Sequence, residues 1–280
     1  MSNARSWVLG LLLLAALNGG CSTIEERADR ILNPTREPEP SRIAELLPFG
    51  NPSNATADIS NKNNFLVLKR TFAFSYNNDR GTINWIAWRT AMKDLGESLP
   101  RPQFEPDSDL PMVFNHIAPT DYSRSGYDRG HMVPSADRFG DETANADTFL
   151  MTNIVPQSAD LNQYVWEKLE RYVRGIVRRG SDVYTIAGVY GTKERIKGKL
   201  TAPTNCWKVI VVLSHGSPLS VDENTRIIAV DIPNENGIKN IYWQKFRVPI
   251  REIEQKTGLD LFSILPRELQ DKIETRADDK

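Results

Sequence analysis

Four consecutive residues, Asp128, Arg129, Gly130 and His131, put a carboxylate, a guanidinium and an imidazole beside a glycine. A neutral imidazole can take a proton from water near neutral pH, which an unperturbed carboxylate or lysine does less well. The chain has only three histidines, His116, His131 and His215, and two cysteines, Cys21 and Cys206. Histidine chemistry therefore has few places to reside, and a disulfide framework or a cysteine-based zinc site is excluded. Downstream, Asn162, Trp166, Glu170, Arg174 and Arg178 recur every four residues. On a helix that spacing lines up an amide, an aromatic ring, a carboxylate and two guanidiniums on one face. Each group also has a plain reading: a loop histidine making one structural hydrogen bond, and a helix cap followed by a solvated face.

The elements that must position these groups follow from periodicity. Leu169, Tyr172, Val173, Ile176 and Val177 predict an amphipathic helix over residues 161–179, ending at Gly180. The segment 125–135 around His131 has neither helical nor strand periodicity and reads as a loop, in which a glycine beside the histidine allows close approach of a bulky substrate. Strands are expected at 65–69, 72–76, 85–88, 184–190, 206–213 and 226–232, with the last two central in the sheet because their apolar runs are unbroken. A shorter helix is expected at 250–256, stopped by Gly258. Strands, a long helix and further strands together describe an α+β domain over residues 63–280.

The Asp128-Arg129-Gly130-His131 run, followed by Thr152-Asn-Ile-Val-Pro-Gln157, Leu161-Asn162, Trp166 and Leu169-Glu170, resembles the DNA/RNA non-specific endonucleases of the ββα-metal class. The resemblance extends from about Asn63 to Pro266. Asn77-Asn78 and Ser135-Ala-Asp-Arg138 make it most similar to the cyanobacterial members. It implies a central, mostly antiparallel sheet with a long helix carrying the metal site, and an enzyme that cuts DNA and RNA to 5′-phosphate products. It implies His131 as general base, Asn162 as direct ligand of Mg2+ or Mn2+, and Glu170 as holder of metal-bound water. Arg101 and Arg174 are implied to contact the scissile or neighbouring phosphate, with Arg101 followed by Phe104 at the family's arginine-aromatic pair. Arg129 is either structural or phosphate-facing, and Arg178 extends the basic face toward substrate. Some members of the family have dedicated protein inhibitors.

The residue types suit that chemistry on their own terms. A hard divalent cation prefers oxygen donors and keeps much of its water, so one amide oxygen and a carboxylate gripping the hydration shell can suffice. Guanidiniums can hold the negative charge that develops at phosphorus. The chain as a whole carries a net charge of -1, so polyanion binding must be local. Residues 165–199 supply nine basic against four acidic side chains. Two other functions compete: a non-catalytic nucleic-acid-binding module, disfavoured because base, ligand and carboxylate are all present, and a hydrolase of small phosphodiesters, which would not need the basic strip.

At the start, the apolar run from Trp7 to Leu17 is too short to span a bilayer comfortably and reads as the core of an export signal over residues 1–21. The ending Asn18-Gly19-Gly20-Cys21 resembles a lipoprotein signal, making Cys21 a candidate lipid anchor; an ordinary secretory signal is the alternative. Residues 22–62, rich in Pro, Asn and charge, read as a flexible tether.

Overall fold

A computed structural model describes residues 39–214 and 221–280. The expected signal with Cys21, the first part of the tether and His215 lie outside the described residues.

Among the described residues ten strands form: β1 (Phe65–Leu68), β2 (Phe72–Asn77), β3 (Thr82–Thr90), β4 (Asp128–His131), β5 (Ile154–Gln157), β6 (Asp182–Tyr190), β7 (Glu194–Ile196), β8 (Leu200–Ala202), β9 (Asn205–Leu213) and β10 (Ile227–Pro233). Six of them build one sheet in the order β1-β2-β3-β6-β9-β10. Every neighbouring pair in it is antiparallel. Side chains alternate between its faces. Phe72, Phe74, Ile86, Trp88, Ala187 and Ile210 pack on one side, and Ala73, Trp85, Ala87, Ile186, Val209 and Val211 on the other.

The six sheet strands expected from the sequence all form, with one change of place. β9 is internal, but β10 lies at the sheet edge. Its unbroken apolar run is explained by cover on both faces together with a capped edge, where Val230 bridges to Arg247 and Val248 N–H donates to Ala229 O.

The first face is covered by the expected long helix through Leu161, Val165, Leu169, Val173, Ile176 and Val177. This helix is not α-helical throughout: Leu161–Trp166 is a π-helix, and the α-helix runs from Glu167 to Arg178. The second face is covered by α-helices at Pro40–Leu46, Ile250–Thr257 and Arg267–Ile273. Gly258 ends the second of these in the left-handed region, at φ 72°, as the sequence predicts.

The described part of the expected tether, residues 39–62, is a correction. Leu46, Leu47 and Phe49 are buried, Phe49 meets the rings of Tyr184 and Phe262 edge-on at 5.0 and 5.3 Å, and Tyr184 Oη donates to Leu46 O at 2.7 Å. The Pro- and Asn-rich composition obscured three large apolar side chains, and burying them against the sheet outweighs the entropy of ordering the segment.

Candidate active site

The site is built on a small two-stranded unit lying outside the main sheet. β4 pairs antiparallel with β5, setting Asp128 against Gln157 and His131 against Ile154. The expected loop around His131 is therefore a strand, too short for its period to register in sequence. Beyond His131 the chain is clamped by Asn153: its backbone O accepts from Met132 N–H, its Oδ1 accepts from Val133 N–H at 2.9 Å, and its Nδ2 donates to Val133 O and Thr148 O. Gly130 has a packing reason distinct from substrate access. A Cβ there would lie 2.1 Å from Oε1 of buried Gln157, so any larger residue would have to displace that side chain.

His131 lies between two phenylalanines, with ring centroids 5.4 Å from Phe104 and 4.9 Å from Phe149. Burial, reinforced by the positive charge of Arg101, pushes its imidazole down to about 4, so it is neutral at neutral pH. Its Nε2 is buried and has no hydrogen-bond partner. Two guanidiniums converge on the same aromatic cluster: Arg101 stands 5.5 Å from the Phe104 centroid and 5.6 Å from Phe149, and Arg129 stands 4.7 Å from Phe104. Both arginines expected from the sequence are thus brought beside His131, and Arg129 is exposed on its strand.

Asn162 sits in the π-helical opening of the long helix, a local geometry frequent at functional sites. Its Nδ2 donates to Asp128 Oδ2 at 2.9 Å, and Gln163 Nε2 donates to the same oxygen at 2.8 Å. The start of the helix is thereby bound to the start of β4. Because the amide turns its NH2 to Asp128, its carbonyl oxygen is left as the donor for a cation.

Glu170 and Arg174 belong to a second, buried cluster against the sheet. Lys208 Nζ lies 3.5 Å from Glu170 Oε1, 4.2 Å from the Trp166 ring centroid and 5.4 Å from that of Trp88. Arg174 Nη1 donates to Asp137 Oδ1 at 3.2 Å, while Trp88 Nε1 and Thr90 Oγ1 donate to Asp137 Oδ2. Burial pushes the Glu170 carboxyl up against the pull of Lys208 and Arg174, and pushes the Lys208 ammonium down. Trp166 is buried and packs beneath this cluster.

Arg178 is not gathered into either cluster. It is exposed in the last helical turn, eight residues or about 12 Å along the axis beyond Glu170. The basic stretch that follows is an ordered hairpin, β7 and β8, whose cations tie it to neighbouring segments: Lys193 donates to Asn234 O, Lys197 to Thr120 O, and Arg195 to Asp79 O as well as to Gly198 O within the hairpin. Phe149, Asp137 and Lys208 escaped the sequence reading as site residues, and Asp128 had no role beyond its place in the run. Lys208 left one signal, a lone charge within an apolar strand.

Among the described residues no group of three or more His, Cys, Asp or Glu side chains is placed to hold a metal. The oxygens present, the Asn162 amide and the nearby carboxylates, are hard donors. They fit a hydrated Mg2+ or Mn2+, which needs few protein ligands, and not zinc.

The profile of the family described as DNA/RNA non-specific endonuclease matches residues 50–268. The chain is 42% identical over 273 residues to a nuclease of Nostoc sp., covering 96% of this chain and 97% of that one. It is 31% identical over 210 residues to the mitochondrial nuclease EXOG of Danio rerio, covering 69% of this chain and 60% of that one. Among solved structures, it superimposes on a chain of the EndoG/EndoGI complex with a TM-score of 0.69 at 23% identity, over 83% of this chain and 96% of that one. The β4, β5 and helix unit on an antiparallel sheet is the ββα-metal fold.

Proposed function

Because this chain belongs to the DNA/RNA non-specific endonuclease family and is a nuclease, we propose that His131 is its general base for hydrolysis of phosphodiesters in both DNA and RNA. The observation that supports this most is the setting of His131: a neutral imidazole held between Phe104 and Phe149, beside two guanidiniums. The imidazole accepts the proton of a water whose oxygen forms the new bond to phosphorus. Arg101 and Arg129, stacked on Phe104, hold the non-bridging oxygens and the charge that builds on them. Arg174, anchored at one nitrogen by Asp137, has further N–H groups that would contact the same or the neighbouring phosphate. The bond from phosphorus to the 3′ oxygen breaks, that oxygen takes a proton from solvent, and the products carry a 5′-phosphate and a 3′-hydroxyl.

Asn162 would hold Mg2+ or Mn2+ through its amide oxygen, and Glu170, eight residues or roughly 12 Å along the helix, would reach the same ion only through water. When bound, the ion supplies charge neutralisation at the phosphate and at the departing oxygen.

Plasmid DNA and RNA incubated with and without EDTA, followed by end-group analysis, test this reading. Cleavage of both, lost with EDTA and leaving 5′-phosphates, is expected; 3′-phosphate ends would overturn the direction of attack. We further propose that the protein is exported and tethered through Cys21, supported by the apolar run from Trp7 to Leu17 and the Gly-Gly-Cys that follows. Mass spectrometry of the mature N-terminus decides it, since cleavage elsewhere with an unmodified or absent Cys21 removes the lipid anchor.

A further inference from the structure

Glu170 and Arg174 stand four residues apart on one helix with the acid first, the arrangement that favours an ion pair along a helix face. The structure gives each a different partner. Glu170 Oε1 meets Lys208 Nζ at 3.5 Å, and Arg174 Nη1 meets Asp137 Oδ1 at 3.2 Å.

Lys208 lies in the middle of β9, only 2% exposed, between Trp207 and Val209, which face the other layer. Its own side chain points to the helix side with Cys206 and Ile210. A buried ammonium is costly unless its charge is met, and a role in stability alone would be served at least as well by an apolar side chain of similar volume. Here the charge is met by one carboxylate and by the faces of Trp166 and Trp88. Trp166 is itself the helix residue midway between Asn162 and Glu170. One sheet-borne cation therefore touches both the carboxylate and the ring that seats the metal-binding face of the helix.

We propose that Lys208 is a positioning residue for the nuclease reaction: it holds Glu170 from the sheet side and so keeps it from closing onto Arg174. The carboxylate is left for the hydration shell of the ion and the guanidinium for phosphate. This rests on the roles given above to Glu170 and Arg174. Without Lys208, the cation that still acts on Glu170 among the described residues is the guanidinium of Arg174, four residues along its own helix, and the two groups then neutralise each other.

The test uses the full chain with Lys208→Met, Glu170→Gln and the double variant. Thermal melting reports folding, and Mn2+ affinity is read by calorimetry without nucleic acid. Lys208→Met is expected to fold and to bind Mn2+ roughly 10- to 100-fold more weakly, as loss of a partner that orients a ligand does. In the Glu170→Gln background the same change should alter affinity by no more than about twofold, because its route of action is already gone. Adding Arg174→Met to Lys208→Met should restore affinity to that of Arg174→Met alone. Unchanged affinity in Lys208→Met, or full additivity with Glu170→Gln, overturns the proposal while leaving the role of Glu170 standing. Unchanged affinity in Glu170→Gln overturns both. If Lys208→Met does not fold, Lys208→Gln replaces it, its amide still able to donate to Glu170 Oε1. Retained Mn2+ affinity then supports the proposal, and affinity lost as fully as in Glu170→Gln overturns it.

Discussion

Asn162 Nδ2 donates to Asp128 Oδ2 at 2.9 Å, joining the second residue of the helix to the first residue of β4 across 34 positions of sequence. That bond decides which end of the Asn162 amide serves a cation, and Gln163 adds a second donor to the same oxygen. With Asn162 as the proposed ligand, Asp128 would act on the metal through that orientation.

Asp128→Ala should therefore weaken divalent-metal binding by roughly 10- to 100-fold while leaving the base in place. The half-saturating Mg2+ concentration should rise, with activity recovering in excess metal. An unchanged metal requirement would reduce the Asp128 contact to a structural tie.

His131→Ala should cost roughly 10²- to 10⁴-fold in kcat, the usual contribution of a general base. Since His131 packs between Phe104 and Phe149, the truncation also opens space in an aromatic cluster. Stability should fall by about 1–3 kcal/mol. His131→Gln fills more of that space, so comparing the two by thermal melting and by rate separates packing from proton transfer. More than half of the wild-type rate in a folded variant rejects the assignment.

The pH dependence follows from burial. The imidazole is held down at about 4 in the folded chain, against an ordinary value of 6.5. The acid limb of kcat/KM, where this base would lose its function, should lie near pH 4 and not near 6.5. The same shift bears on stability. Below pH 6.5 the unfolded chain takes up a proton that the folded chain refuses until about pH 4, so this residue lowers stability as pH falls through that window and is neutral above it. Urea midpoints of wild type and His131→Gln between pH 4 and 7 should converge as pH falls. Burial raises the Glu170 carboxyl to about 7, so a limb near 6.5 that persists in Glu170→Gln would mean that the imidazole is open to water.

Arg178 and Arg179, both exposed at the helix end, should contribute to substrate binding through charge alone. Replacing both with glutamine should lower the slope of log KM against log salt by roughly one to two units and leave the rate at saturating substrate intact. An unchanged slope would place the polyanion path elsewhere.

Much of this molecule is legible locally. Alternating or unbroken apolar runs mark the six sheet strands, because side chains of a strand must sort between two faces whatever lies opposite them. The helical stripe from Leu169 to Val177 marks its buried side for the same reason. His131, Asn162 and Glu170 stand out because their types and spacing are properties of short segments, and the family resemblance rests on those segments.

What the chain order leaves open is which distant groups meet. The run in β10 reads the same whether its strand is central or at an edge with a capping segment, since burial of both faces is all that hydrophobicity records. Leu46, Leu47 and Phe49 gain their meaning only once Tyr184 and Phe262 are beside them. The π-helical turn under Asn162 leaves no mark in an apolar period shared with the α-helix that follows. Lys208 meets Glu170 across 38 positions because the long helix docks on one face of a sheet whose strands come from both sides of it in sequence, and Asp137 meets Arg174 across 37 because its 3-10 turn, Ser135–Asp137, is held by Trp88 and Thr90 of β3. Electrostatic partnership acts through space over a few ångströms, whereas sequence spacing reports neighbours only within one helix or strand. Docking of the helix on the sheet therefore settles which counter-ion each site residue receives.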